Sequence, residues 1–342
     1  RTHQMEKMAH VDGLEAFFEY VSNRMLFTDP PKHTRLRGLV KKAFTPPAIG
    51  ALRPHIQELV DGFLNAVQPH GRMDVMADLA FPLPATVIAG MLGLPAEDRV
   101  QMKHWSDELL VYFSADPGQV TPESYQQATR SLAAMTEYFR KIFAERRVQP
   151  RDDLLTALQQ VEAAGDRLNA IELYANTNLL LTAGHETTTS LIGNGVLALL
   201  KHPEQLQKLR DDPTLIPHAI EEFIRYDGPV QFTHRVAAED IEMGGKVIRK
   251  GQFIYLLLAA ANRDPEHFPD PDRLDVTRPH NKHLGFGMGA HFCLGAPLAR
   301  LETQIAFTTL LERFPALKLA TEQPRYRDNF NLHGLVELPV TF

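Results

Sequence analysis

Cysteine is nearly absent from this sequence, with Cys293 the only one among 342 residues. One thiol cannot close an internal disulfide, so no oxidising compartment is needed and the cytoplasm is the simplest setting. Long apolar runs are also missing, and no basic leader with an apolar core and cleavage site is visible. The expectation is a protein that neither spans nor crosses a membrane. A net charge of -6 gives no overall attraction to nucleic acid or anionic lipid. Internal repeats, low-complexity tracts and flexible linkers are lacking too. What remains is 44% hydrophobic and 23% charged residues, ample for one large core, so the chain reads as a single domain over 1–342. It begins at Arg1 rather than methionine, which suggests an absent N-terminal piece.

Helical periodicity fills most of the first two-thirds: 48–67, 96–113, 122–147, 152–163, 169–200, and 203–226 with a break at Pro213 to Pro217. Short β-like runs follow, at 239–243, 246–250 and 252–258, with Gly244-Gly245 and Lys250-Gly251 as turn signals. The next passage, ANRDPEHFPDPDRLDVTRP, carries four prolines in nineteen residues and excludes regular helix. Helix returns over about 296–312, and short extended pieces close the chain at 317–340. The fold class is mainly α with a small, segregated β portion.

Cys293 lies in HLGFGMGAHFCLGAPLARLE, residues 283–302. A lone cysteine is by itself a small buried hydrophobe, but these neighbours point elsewhere. Gly287, Gly289 and Gly295 cost backbone entropy, and their use is to turn at positive φ or to approach a flat partner closely. Pro297 suits the first turn of a helix, which puts Cys293 in the loop feeding it. Backbone N–H groups and the helix dipole there favour a thiolate. Such a thiolate is a nucleophile or a metal ligand; a nucleophile needs a base and an oxyanion site, and only His291 is at hand.

The pattern F-x-x-G-x-H-x-C-x-G, here Phe286, Gly289, His291, Cys293 and Gly295, resembles the haem-ligand loop of the cytochrome P-450 family. The resemblance implies that Cys293 is the proximal ligand to the iron of haem b (iron protoporphyrin IX). It implies further that Phe286 packs near the sulfur, that the glycines admit the porphyrin, and that His291 reaches a propionate.

Residues 176–200, NTNLLLTAGHETTTSLIGNGVLALL, are apolar on most sides and predict a buried helix. Gly184 and three consecutive threonines are poor helix formers, glycine by about 1 kcal/mol relative to alanine, so helix stability did not select them. A packing contact that needs small residues is one account. A zinc-protease reading of His185-Glu186 fails, because Thr189 replaces the second histidine of H-E-x-x-H. The run resembles the family's distal helix, which implies that Ala183 and Gly184 leave room for dioxygen. It also implies that Glu186 relays protons and that the Thr187 hydroxyl hydrogen-bonds bound dioxygen.

Glu222 and Arg225, three apart, share a helix face and match the family's E-x-x-R; Arg273 matches the arginine completing its structural triad. His33 and Arg37 match its H-x-x-x-R helix, and Arg235 the strand arginine that meets a propionate. By family position the substrate pocket takes Leu179, Leu180, Ala183, Val230, Gln231, Phe232, Asn331 and Leu332, with a lid over 105–130 bearing Trp105, Tyr112 and Phe113.

The resemblance spans nearly the whole chain, although the family's N-terminal strands and first helices are missing or incomplete before His33. It implies a haem-thiolate monooxygenase of the soluble bacterial type, acting as a monomer on a small apolar substrate: a terpenoid, steroid, fatty acid or polyketide. Electrons would come from a ferredoxin and its reductase, with Lys41 and Lys42 part of a docking patch; nucleic acid and membrane are not partners. A peroxide-driven peroxygenase, a non-catalytic haem-binding or sensor protein, and a helical scaffold without haem are the alternatives.

Overall fold

The computed structural model describes residues 14–42, 44–109, 121–160, 162–163, 166–321 and 323–342. Tyr112 and Phe113 lie outside these residues. Among those described, the major helices are α1 (Leu14–Ser22), α2 (Lys32–Lys41), α3 (Arg53–Val67), α4 (Pro82–Met91), α5 (Arg99–Leu109), α6 (Pro122–Val148), α7 (Leu154–Gln160), α8 (Ala170–Lys201), α9 (Pro203–Asp211), α10 (Ile216–Asp227) and α11 (Ala296–Arg313). No described helix is long and apolar enough to cross a membrane.

The fold is built around α8. Its start is fixed by a reciprocal cap, in which Asn169 accepts from the Glu172 N–H while the Glu172 side chain accepts from the Asn169 N–H. Helices α4, α6, α10 and α11 pack against it. Burial on all sides explains why its sequence lacks a clean amphipathic stripe. Between Ala175 and Leu199 only Ala183, Gly184 and Thr187 escape burial. These three sit within one turn, so the helix opens to its surroundings at a single place.

Helix α4 is not among the helices expected from sequence; its Pro82 and Pro84 both fall in the first turn, where a missing N–H costs nothing. The helix expected over 96–113 begins as a 3-10 turn, Ala96–Asp98, and continues as α5; beyond Leu109 the expectation lies outside the described residues. Helix α7 is shorter than 152–163, giving way to a two-residue ladder of Glu162–Ala163 against Asp166–Arg167.

The β portion is small. Strands β1 (Arg72–Asp74), β6 (Lys318–Leu319) and β7 (Pro339–Thr341) form one antiparallel sheet with β7 in the middle. Strand β2 (Thr233–Val236) pairs with β5 (Phe253–Leu256), and β3 (Ile241–Met243) pairs with β4 (Lys246–Ile248) across Gly244 and Gly245. Both glycines have positive φ, 57° and 71°, as a tight hairpin turn of matching twist requires. The proline-rich passage after β5 is irregular and, past one helical turn at Leu258–Ala261, wraps against α10.

Candidate active site

The cysteine loop is held by its own backbone. The Cys293 N–H donates to the Phe286 carbonyl at 2.9 Å, and the Gly287 N–H donates to Leu284 at 2.7 Å. Gly287 and Gly289 have φ of 70° and 71°, so the turn needs glycine at both positions. Gly295 caps α11, and Pro297 sits in its first turn. Cys293 presents exposed surface yet has protein on nearly every side, the signature of a group at the floor of a concavity. Those surroundings push the thiol pKa up, and the N–H groups of Gly295 and Ala296 oppose this without overcoming it. The N–H groups at the helix start thus act in the direction read from the sequence, against the desolvation of the sulfur.

Four of the cationic or imidazole groups named from sequence come together beside this loop. The His33 and His291 rings lie 4.0 Å apart between centroids. Arg37 Nη2 donates to the Phe292 carbonyl at 2.6 Å, tying α2 to the residue before the cysteine. Burial lowers the His291 pKa first, and the charges of His33, Arg235 and Arg37 lower it further against Asp29. His33 is lowered by burial and then by Arg37. Its Nδ1 is buried without a partner. Arg235 is held by the His234 carbonyl at 2.7 Å and by Thr233 Oγ1 at 3.3 Å. A soft sulfur donor, two guanidinium groups and two imidazoles, one with an unmet nitrogen, fit the needs of haem: a thiolate for the iron and partners for two carboxylates.

On α8, Ala183 is exposed and Thr187 Oγ1 donates to its carbonyl at 3.3 Å. Gly184 also has a packing role: a Cβ there would stand 2.9 Å from Ile88 Cγ1, so the glycine permits close packing of α8 on α4. Glu186 is 3% exposed, with Oε2 accepting from Arg327 Nη1 at 2.6 Å and Oε1 3.2 Å from His185 Nε2. The latter pair is not aligned for a hydrogen bond. Burial pushes the Glu186 carboxyl up, but the neighbouring His185, then Arg327 and the more distant Lys103, outweigh it and hold it below the usual carboxylate range. At neutral pH Glu186 is a carboxylate and not a stored acid.

The charge network on α10 differs from expectation in one member. Arg225 grips Glu222 with two hydrogen bonds, Nε–Oε2 at 2.7 Å and Nη2–Oε1 at 2.8 Å, and both side chains are fully buried. The second guanidinium on Glu222 belongs to Arg278, whose Nε lies 3.2 and 3.1 Å from the two carboxylate oxygens. Arg273 is exposed and contributes only its carbonyl, which accepts from Arg225 at 3.2 Å and Arg278 at 3.1 Å. Both arginines lie in an irregular segment, and the chain turns outward at Arg273 and inward at Arg278.

The pocket residues after α10 and near the C-terminus are joined directly. Val230 bridges Leu332, and the Gln231 N–H donates to the Asn331 carbonyl at 2.9 Å. Phe232 packs on Phe330 at 5.4 Å and Tyr255 at 5.5 Å between ring centroids. Asn331 Oδ1 is buried with no donor. Leu179 and Leu180 are buried in the continuous hydrophobic core, one turn before Ala183 and Gly184. Trp105 packs edge-on against Tyr138 as core rather than lid. Arg327, Arg278 and the Glu221 cluster described below escaped the sequence reading; an isolated arginine carries no sign of which carboxylate it will meet.

The family model described as cytochrome P450 matches residues 7–342. Cytochrome P450 CYP107DY1 of Priestia megaterium is 48% identical, over 95% of this chain and 78% of its own length. The vitamin D(3) 25-hydroxylase of Pseudonocardia autotrophica is 44% identical, over 93% of this chain and 77% of its own. Among solved structures, P450BioI in complex with an acyl carrier protein ligated to hexadec-9Z-enoic acid superposes with a TM-score of 0.90. It is 45% identical, over 95% of this chain and 82% of that one.

Proposed function

This chain belongs to the cytochrome P450 family of haem monooxygenases, and we propose that it oxidises an apolar organic substrate with Cys293 as the thiolate ligand of its haem. The observation that carries the reading is the gathering of His33, Arg37, Arg235 and His291 beside the loop of the only cysteine. The bound haem supplies reductive activation of dioxygen and transfer of one oxygen atom to carbon.

The chain's residues then have the following roles. His33, Arg37, Arg235 and His291 would hold the two propionates, the guanidinium groups by charge and the imidazoles through N–H donors. Ala183 leaves the open face of α8 clear, and the Thr187 hydroxyl presents a donor there that can turn away from its own helix carbonyl. Glu186, ionised and held by Arg327, orients a proton-carrying water toward Thr187. Phe232, Val230 and Leu332 give the pocket its apolar wall. The substrate is of the apolar kind handled by similar P450s, whose printed names and ligands include a vitamin D, fatty acids and polyketides. Electrons come from a separate ferredoxin in the cytoplasm that docks on the face of Lys41 and Lys42, at the end of the helix whose Arg37 reaches the ligand loop.

The test is product analysis under heavy-isotope dioxygen, with NADPH, a ferredoxin reductase and a ferredoxin. One labelled oxygen atom in the product supports the reading. Unlabelled product, or turnover with peroxide alone, supports the peroxygenase instead.

A further inference from the structure

Glu221, adjacent to the buried Glu222, has no part in the triad and faces the cysteine loop. Its carboxylate accepts from Arg300 at 2.6 Å (Nε–Oε1) and 2.7 Å (Nη2–Oε2). The same Oε2 lies 3.0 Å from His283 Nε2. The tautomer follows from the backbone: His283 Nδ1 accepts the Gly285 N–H at 3.1 Å, so Nε2 carries the hydrogen and donates to Glu221. His283 lies ten residues before Cys293 and Arg300 seven after it. One side chain on α10 thus clasps both ends of the segment that carries the cysteine.

The two clasped groups converge on Phe286. The Arg300 guanidinium lies 4.5 Å from its ring centroid, and the His283 ring 5.8 Å. The Phe286 carbonyl in turn accepts the Cys293 N–H at 2.9 Å. Desolvation pushes the Glu221 carboxyl up, but Arg300 and then His283 hold it at about 2, so the clasp keeps its charge throughout the neutral range.

We propose that Glu221 is a positioning residue for the metal ligand: by holding Arg300 and His283 it fixes Phe286, and through the Phe286 carbonyl it keeps Cys293 in place. This rests on the reading of Cys293 as the haem ligand. No bond is made or broken by Glu221; it holds in place the loop that presents the sulfur.

The test uses the holoenzyme in its ferrous carbon monoxide complex, following loss of the thiolate-type absorption band in moderate urea while circular dichroism follows the helices. Glu221→Gln should convert to the neutral-thiol spectrum about tenfold faster or more, before helix is lost, as removal of charge-assisted bonds from both flanks requires. Arg300→Gln should act in the same direction, and Arg300→Lys, which keeps the charge without the flat stack on Phe286, should recover part of the parent lifetime. Arg300 sits on a half-exposed rim, so its variants carry the test if Glu221→Gln does not fold. Conversion at the parental rate in both Gln variants, or conversion that only follows helix loss, overturns the inference alone. A parent enzyme without a thiolate-type band overturns the reading of Cys293 and the inference with it.

Discussion

Replacing Arg278 by alanine should destabilise the protein far more than replacing Arg273, although only Arg273 stands where the family pattern points. Arg278 makes two bonds to Glu222, at 3.1 and 3.2 Å, and donates to the carbonyls of Pro269 at 2.7 Å, Asp270 at 3.1 Å and Arg273 at 3.1 Å. Its side chain is 9% exposed, and Glu222 is fully buried. Breaking a buried pair by removing one partner costs about 3–5 kcal/mol when the other charge is stranded. Glu222 is not wholly stranded here, because Arg225, the Asn281 amide at 3.0 Å and the Asp275 N–H at 2.9 Å remain. The loss should therefore fall below that range, about 2–3 kcal/mol, or roughly 3–4 °C in melting temperature for a chain of this length. Arg273→Ala removes an exposed side chain and leaves its carbonyl in place, so it should stay within about 0.5 kcal/mol of the parent. Urea denaturation followed by circular dichroism, with bound haem per protein measured alongside, separates the two. Arg278→Lys should recover less than half of the loss, since an ammonium cannot span five acceptors. Equal effects of Arg273→Ala and Arg278→Ala, or a larger effect at Arg273, would refute the assignment.

Two further perturbations test packing and burial. Gly184→Ala should lower stability by about 1–3 kcal/mol through the clash with Ile88, despite alanine's better helix propensity. The same change in an Ile88→Ala background should cost at least about 1 kcal/mol less; identical costs in the two backgrounds would show that the side chains do not meet. Glu302 on α11 is fully buried with both oxygens unpartnered, and burial raises its carboxyl well above 4.5. The folded state therefore keeps a proton that the unfolded chain releases, so this group's contribution is fully present below pH 4.5 and is lost as pH rises toward the folded pKa. Glu302→Gln should match the parent near pH 4 and exceed it at pH 8, by about 1.4 kcal/mol for each unit of displacement up to pH 8; denaturation midpoints that differ equally at both pH values would contradict this.

The parts of the site that depend on neighbours in sequence were legible, and those that depend on distant packing were not. Glu222 and Arg225 are one helical turn apart, so their pairing follows from periodicity. The glycines at 287 and 289 announce a turn that only they can make. By contrast Arg273 and Arg278 lie in one aperiodic, proline-rich stretch, where nothing local says which side chain points inward. Glu186 meets Arg327 from 141 residues away, and Gly184 faces Ile88 on a separate helix. For Cys293 the helix N-terminus is visible in sequence, whereas the density of protein around the sulfur, which opposes it, is not.

The central claim is that Cys293 is the haem ligand, and the reduced carbon monoxide difference spectrum tests it most directly. The parent protein, reconstituted with haem, should give the thiolate-type band, and Cys293→Ala should bind carbon monoxide without it. A thiolate-type band retained by Cys293→Ala, the protein then having no cysteine at all, would contradict the account.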